Sequence, residues 1–112
     1  MDACKLTETT VRTVVEMDLE EIGRITIDHL AARFGVDRTL LCKRFKREQG
    51  ITLGLFIRKI KMVKCELYLC GHRDITVKQL SRISGFEDAE YFARIFKSHF
   101  GSLPSRYDPF DS

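Results

Sequence analysis

The chain repeats itself. Leu30, Ala31, Gly35 and Val36 recur fifty places on as Leu80, Ser81, Gly85 and Phe86, and Leu41, Phe45, Lys46 and Gly50 recur fifty-one places on as Phe92, Phe96, Lys97 and Gly101. Matching glycines, phenylalanines and lysines in register mean that one small supersecondary unit is built twice. The offset changes between Val36/Phe86 and Leu41/Phe92, where a turn is expected and an insertion costs least. A chain of 112 residues has room for one compact domain. Two such units leave space only for a connector and a short N-terminal flank.

The second copy shows what the unit is. Thr76 can cap a helix, with Gln79 completing a capping box, and Val77, Leu80 and Ile83 follow at helical spacing. Gly85 sits where a helix ends, and Asp88 can cap a second helix that carries Phe92 and Phe96 one turn apart. Gly101 ends that helix, and Pro104 suits the first turn of a short closing one. The first copy reads likewise. Thr26 caps a helix bearing Ile27, Leu30, Ala31 and Phe34, with Asp28 near its positive end; Gly35-Val36 turns; Asp37 caps a helix to about Gln49 that turns Leu41 and Phe45 inward; Gly50 ends it. Two short helices about a turn with glycine form a helix-turn-helix. The boundaries are 26–50 for the first unit and 76–101 for the second.

Between them, Thr52 can cap a helix over 52–70 in which Leu53, Phe56, Ile57, Ile60, Val63, Leu67 and Cys70 form one apolar stripe, with Gly71 past its end. Such a helix is about 27 Å long, close to the ~34 Å between successive turns of one DNA face. Ahead of the units, residues 1–8 are expected to be poorly ordered. A scaffold helix is predicted from Thr9 or Thr10 to about Leu19, with Val11, Val14 and Val15 as its apolar stripe and Gly23 marking the exit. The expected fold is all-α, with about seven helices and two helix-turn-helix units joined by a long central helix, 9–112 forming the domain.

Composition narrows the chemistry. Hydrophobic residues make up 44% of the chain, enough for a core without disulfide staples. Cys4, Cys42, Cys65 and Cys70 contain no C-x-x-C pair and no zinc-ligand spacing with the histidines. They read as reduced thiols of a cytoplasmic protein, and no metal or cofactor is expected. No apolar run approaches a membrane span, and the N-terminus lacks a signal-peptide core. No nucleophile-plus-base pattern, paired-carboxylate spacing or phosphate-cradling glycine loop points to an enzyme. The net charge of +3 understates the polarity of the chain: residues 1–24 hold six acids against three bases, and the rest holds 16 bases against 10 acids. A basic body suits a polyanion.

The basic residues concentrate on one element. The helix after Asp37 carries Arg38, Lys43, Arg44, Lys46 and Arg47 with no acid among them. On any helix this is a solvated face; on the second helix of a helix-turn-helix it is a surface for DNA. Thr39, Cys42, Lys43 and Lys46 share one side. In the second unit the outward side carries Ala89, Glu90, Ala93, Arg94 and Lys97. Glu90 and Arg94, one turn apart, read either as an intrahelical salt bridge or as base readers, or as both. Cys42 reads as a bystander thiol, since no resolving cysteine is near in sequence. His29, His72 and His99 read as ordinary surface or half-buried residues.

Gly85-Phe86, Asp88, Tyr91-Phe92, Arg94, Phe96-Lys97, Phe100-Gly101 and Pro104 together resemble the signature of AraC/XylS transcription regulators. The resemblance extends from about Ile25 to Tyr107. It implies a homeodomain-like fold of two helix-turn-helix units on a connecting helix, sequence-specific binding of double-stranded promoter DNA in the bacterial nucleoid, and activation through RNA polymerase. It places Thr39, Cys42 and Lys43, and Ala89, Glu90, Tyr91 and Arg94, at groove-reading positions. The departures are Glu90, where a small hydroxyl residue is common, Leu103 for Thr, Arg44 for an apolar residue, Lys61 for Arg and Cys65 for Ala. A protein-interaction module and an unspecific DNA binder that kept the fold are the rival readings. Two different readers in one chain imply a monomer on an asymmetric site, unless a sensing domain of a longer regulator is missing.

Overall fold

The computed structural model describes residues 3–72 and 74–101, which form seven α-helices and no strand. They are α1 (Ala3–Glu16), α2 (Leu19–Arg24), α3 (Ile27–Phe34), α4 (Arg38–Gln49), α5 (Leu53–Gly71), α6 (Val77–Ile83) and α7 (Ala89–Phe100). The helices divide between two compact units, one built on α1, α3, α4 and α5 as far as Ile60, the other on α2, α5 from Lys61, α6 and α7. The closing helix expected at Pro104 lies outside the described residues. Among those described, no helix is long and apolar enough to cross a membrane.

The repeat is structural down to single hydrogen bonds. After α3, the Gly35 N–H donates to the Ala32 carbonyl and the Val36 N–H to that of Ala31; after α6, Gly85 donates to Arg82 and Phe86 to Ser81. Both glycines are left-handed, φ +66° and +83°, which closes the helix end at no steric cost to a residue lacking Cβ. Asp37 accepts from the N–H groups of Thr39 and Leu40 at 3.0 and 3.3 Å, and Asp88 from those of Glu90 and Tyr91 at 2.9 and 3.3 Å. The residue inserted in the second copy is therefore Glu87, between turn and cap. Thr26 and Thr76 cap the first helix of each unit, the latter through a full capping box with Gln79.

In the first unit, α3 packs on α4 and α1 packs on α4. Leu30, Leu41, Phe45 and Leu53 are essentially sealed from solvent, and the Phe45 and Phe56 rings meet at 5.2 Å. The N-terminal flank departs from expectation. Helix α1 begins at Ala3, so residues 3–8 are helical rather than poorly ordered. Its buried side is Leu6, Thr7, Thr10 and Val14, while Val15 stands 45% exposed. A threonine breaks an apolar pattern on paper, but the Thr10 hydroxyl donates to the Leu6 carbonyl at 2.7 Å and is buried without losing a hydrogen bond. The helix also stops before Leu19, and α2 follows, started by Asp18 accepting from the Glu21 N–H. Gly23 lies inside α2 instead of marking an exit.

In the second unit, Leu80, Phe92 and Phe96 take the places of Leu30, Leu41 and Phe45, and all three are fully buried. They are joined by Leu19 and Ile22 of α2 and by Met62, Cys65 and Leu69 of α5. The single stripe expected along α5 holds in its first half, where Leu53 and Ile57 are buried, and fails in its second. Val63 is 49% and Leu67 63% exposed, because the helix serves two cores and each takes its own set of residues. Phe86 stacks at a tilt on Phe92, 5.2 Å between centroids, and the Lys61 ammonium lies 5.2 Å over the Phe86 ring.

Candidate nucleic-acid interface

The second helix of each helix-turn-helix carries the candidate residues singled out in the sequence. In α4, burial of Leu41 and Phe45 turns the opposite side to solvent, and Thr39, Lys43 and Lys46 are all exposed on it. Cys42 is half-buried at its margin. The Asp37 cap anchors the first turn, so the side chains nearest the helix start are held on a fixed backbone. Lys43 and Lys46 also line an open depression with Ile27, Cys42, Thr52, Leu53 and Gly54, leaving both ammonium groups reachable from solvent. Arg47, one of the basic residues read from the sequence, stands on this outward face as well, and so does Leu40, which was not among the sequence candidates. The signal for Leu40 was present, since it sits away from the Leu41–Phe45 side at helical spacing.

Arg38 is placed differently from the other bases. Its guanidinium meets the Asp28 carboxylate of α3 at 3.1 Å, a hydrogen bond and charge contact that holds its proton more firmly than usual. Both partners are more than half exposed, so water weakens the pair and a phosphate can compete for the arginine. Arg44 is half-buried, which a long amphipathic side chain tolerates when its charged end reaches solvent.

In α7, Glu90, Tyr91, Arg94 and Lys97 are exposed and Ala89 is half-buried. The Arg94 guanidinium lies 5.9 Å from the Tyr91 ring centroid rather than paired with Glu90, and the Tyr91 ring also tilts against Phe86 at 6.1 Å. Among the described residues the Glu90 carboxylate has no ion-pair partner. The two faces therefore offer different chemistry: α4 presents hydroxyl and ammonium donors on a strongly basic helix, α7 an acid, an aromatic and a guanidinium.

Cys65, deep in the second unit, is pushed from an ordinary 9.0 up to about 11 by burial, against the opposing pull of a hydrogen bond from Ser84 and the Lys61 charge. A thiol held protonated is a poor nucleophile and a poor ligand. Among the described residues no three His, Cys, Asp or Glu side chains converge as metal ligands.

A model of the helix-turn-helix domain family matches residues 30–108. The probable transcription factor PqrA of Proteus vulgaris is 30% identical over 93 residues, which are 83% of this chain and 75% of PqrA. The transcriptional activator NphR of a Rhodococcus species is 32% identical over 88% of this chain, and the transcriptional activator AggR of Escherichia coli 32% identical over 87%. The chain spans only 29% of NphR and 35% of AggR. Among solved structures, a DNA-binding transcriptional dual regulator from Escherichia coli K-12 superposes with a TM-score of 0.73 at 22% identity, covering 90% of this chain and 87% of that one. The C-terminal domain of the response regulator yesN from Fusobacterium nucleatum has the same TM-score over 89% of this chain.

Proposed function

Because this chain belongs to the AraC-type family of helix-turn-helix transcription regulators, we propose that it reads promoter DNA with α4 and α7, each in one of two adjacent major-groove segments. The observation that carries this reading is the pair of equivalent, Asp-capped helices with exposed polar faces, one behind each glycine turn. A capped helix start fixes the backbone from which base-contacting side chains project, and those contacts come from the N-terminal part of such a helix.

The roles follow from donor and acceptor chemistry. Lys43 donates to guanine O6 or N7, and Thr39 meets a thymine methyl or a polar base edge. Glu90 accepts from cytosine N4, and Arg94 donates to guanine or phosphate. Arg38, Lys46, Arg47 and Lys97 supply phosphate contacts, Cys42 and Ala89 close approach, and Tyr91 an aromatic surface. An acid near phosphates costs affinity unless a base uses it, so α4 binds more strongly than α7. NphR and AggR are transcriptional activators, and activation with RNA polymerase as second partner is the regulatory sense proposed here. One chain fills one asymmetric site in the nucleoid, as a monomer.

The test begins with duplexes selected by the purified chain from a random pool. On the selected site Lys43→Ala should cost about 1–3 kcal/mol and relax preference at one base pair. An equal loss on every sequence would assign Lys43 to phosphate. No enrichment over random competitor DNA would leave an unspecific binder or a protein-interaction module.

A further inference from the structure

Leu40 is an apolar side chain in the middle of the most basic surface of the protein. It is the third residue of α4, 41% exposed, and shares its stripe with Lys43 and Arg47 at i, i+3 and i+7. One exposed leucine on a protein surface needs no explanation. What singles this one out is the repeat. Position 40 corresponds to position 91 by the same offset that pairs Leu41 with Phe92 and Phe45 with Phe96. Tyr91 there is 43% exposed, so both reading helices hold a large apolar surface at the same place, against the chemistry of their neighbours.

The backbone at that place is fixed in the same way in both. The Leu40 N–H donates to the Asp37 carboxylate and the Tyr91 N–H to that of Asp88, each at 3.3 Å. The side chain therefore leaves from the first turn of the helix, the part that reaches base edges in a major groove. Leucine has no donor or acceptor, so it gains nothing from phosphate and pays for facing polar base edges. The one apolar group exposed in the major groove is the C5 methyl of thymine.

We infer that Leu40 is a specificity residue that reads a thymine methyl, an assignment that rests on α4 being a DNA-reading helix. Tyr91 differs from it in kind: its ring is flanked by Arg94 and Phe86 and it keeps a hydroxyl. The thymine preference set by Leu40 therefore belongs to the half-site of the first unit alone.

Replacing thymine by uracil removes this methyl and nothing else. Each thymine of the selected site is replaced in turn, and binding of the wild-type chain and of Leu40→Ala is measured. One uracil should weaken the wild type about fourfold, the worth of one buried methyl-sized group, and leave Leu40→Ala unchanged. A second variant, Leu40→Gln, offers the paired donor and acceptor that suit adenine, and selection with it should move the preference at that position from thymine to adenine. The melting temperature of both variants should stay at the wild-type value, because the side chain is outside the core. A selected site at which no uracil couples to Leu40, together with an unchanged preference of Leu40→Gln, overturns the assignment while leaving DNA reading intact. Failure to select any site overturns both.

Discussion

Cys65 links one side chain to the stability of the second unit. Its thiol is fully buried and titrates near 11 in the folded chain, against an ordinary 9.0. Between those values the folded state holds a proton that the unfolded state has lost, so stability falls as pH rises through this window. Below 9 the contribution is present in full. Two pH units correspond to a loss on the order of 2 kcal/mol by pH 11. Lysines and tyrosines titrate there too, so the comparison is with Cys65→Ala, in which they are unchanged. Urea melts from pH 8 to 11 should show the wild type losing stability relative to this variant; parallel curves would mean that the thiol is solvated. The same scale shows what a sequence leaves out. Cys65 carries no mark of burial, and Arg38 none of its partner Asp28, because both depend on which residues another helix brings near.

At the scale of elements, the turn glycines separate two causes that look alike in sequence. Gly35 and Gly85 are equivalent in the repeat, and both have positive φ. A Cβ on Gly35 meets nothing within 4 Å, whereas one on Gly85 would run into the backbone carbonyl of Gly23 in α2. Gly23 is the reciprocal case: its own Cβ would press on the Ile83 carbonyl at 2.7 Å. The end of α6 and the helix α2 thus touch backbone to backbone through two glycines. Gly35→Ala should cost about 1–2 kcal/mol, the strain of a left-handed alanine. Gly85→Ala should cost on the order of 3–4 kcal/mol, because the contact with α2 must open as well. Gly23→Ala should be harmful with no change of φ. Equal losses at Gly35 and Gly85 in denaturant melts would show that the contact with α2 gives way easily. That Gly85 turns the chain was legible from the helical register around it. That Gly23 matters was not, since nothing local requires a glycine inside α2.

At the scale of the whole molecule, the two helices proposed as readers belong to one chain and differ in their side chains. If α4 and α7 read DNA as proposed, Thr39, Leu40 and Lys43 read different bases from Glu90, Tyr91 and Arg94, and the half-sites are not expected to be palindromic. The connector α5 has no glycine or proline from Leu55 to Cys70, so its sequence holds no helix breaker over that stretch. The spacing of the half-sites should therefore be fixed near ~10 bp. Five base pairs inserted between them turn the second half-site by about half a helical turn, and affinity should drop toward that of one unit. Sedimentation on the natural and the spaced duplex checks this. Two chains per site, or unchanged affinity after the insertion, would refute a single chain spanning both.

What the sequence determined by itself is whatever acts over a few residues. The caps at Thr26, Asp37, Thr52, Thr76 and Asp88, the glycine ends at Gly35, Gly50, Gly85 and Gly101, and the inward-facing Leu30, Leu41, Phe45, Leu80, Phe92 and Phe96 all stand where spacing predicted them, whereas Gly23 lies inside α2 and Gly71 inside α5. Helical periodicity and capping hydrogen bonds are short-range, so their causes are written next to their effects. What only the tertiary structure decided depends on neighbours distant in the chain. The helix beginning at Ala3 is held by the burial of Leu6 and Thr10, and the meeting of Gly23 with Gly85 exists only once α2 reaches α6. Along α5 a single amphipathic stripe was the simplest reading, yet Met62, Cys65 and Leu69 are buried where Val63 and Leu67 are not. Hydrophobicity says that a residue can be buried, and the fold chooses which side of a helix finds something to be buried against.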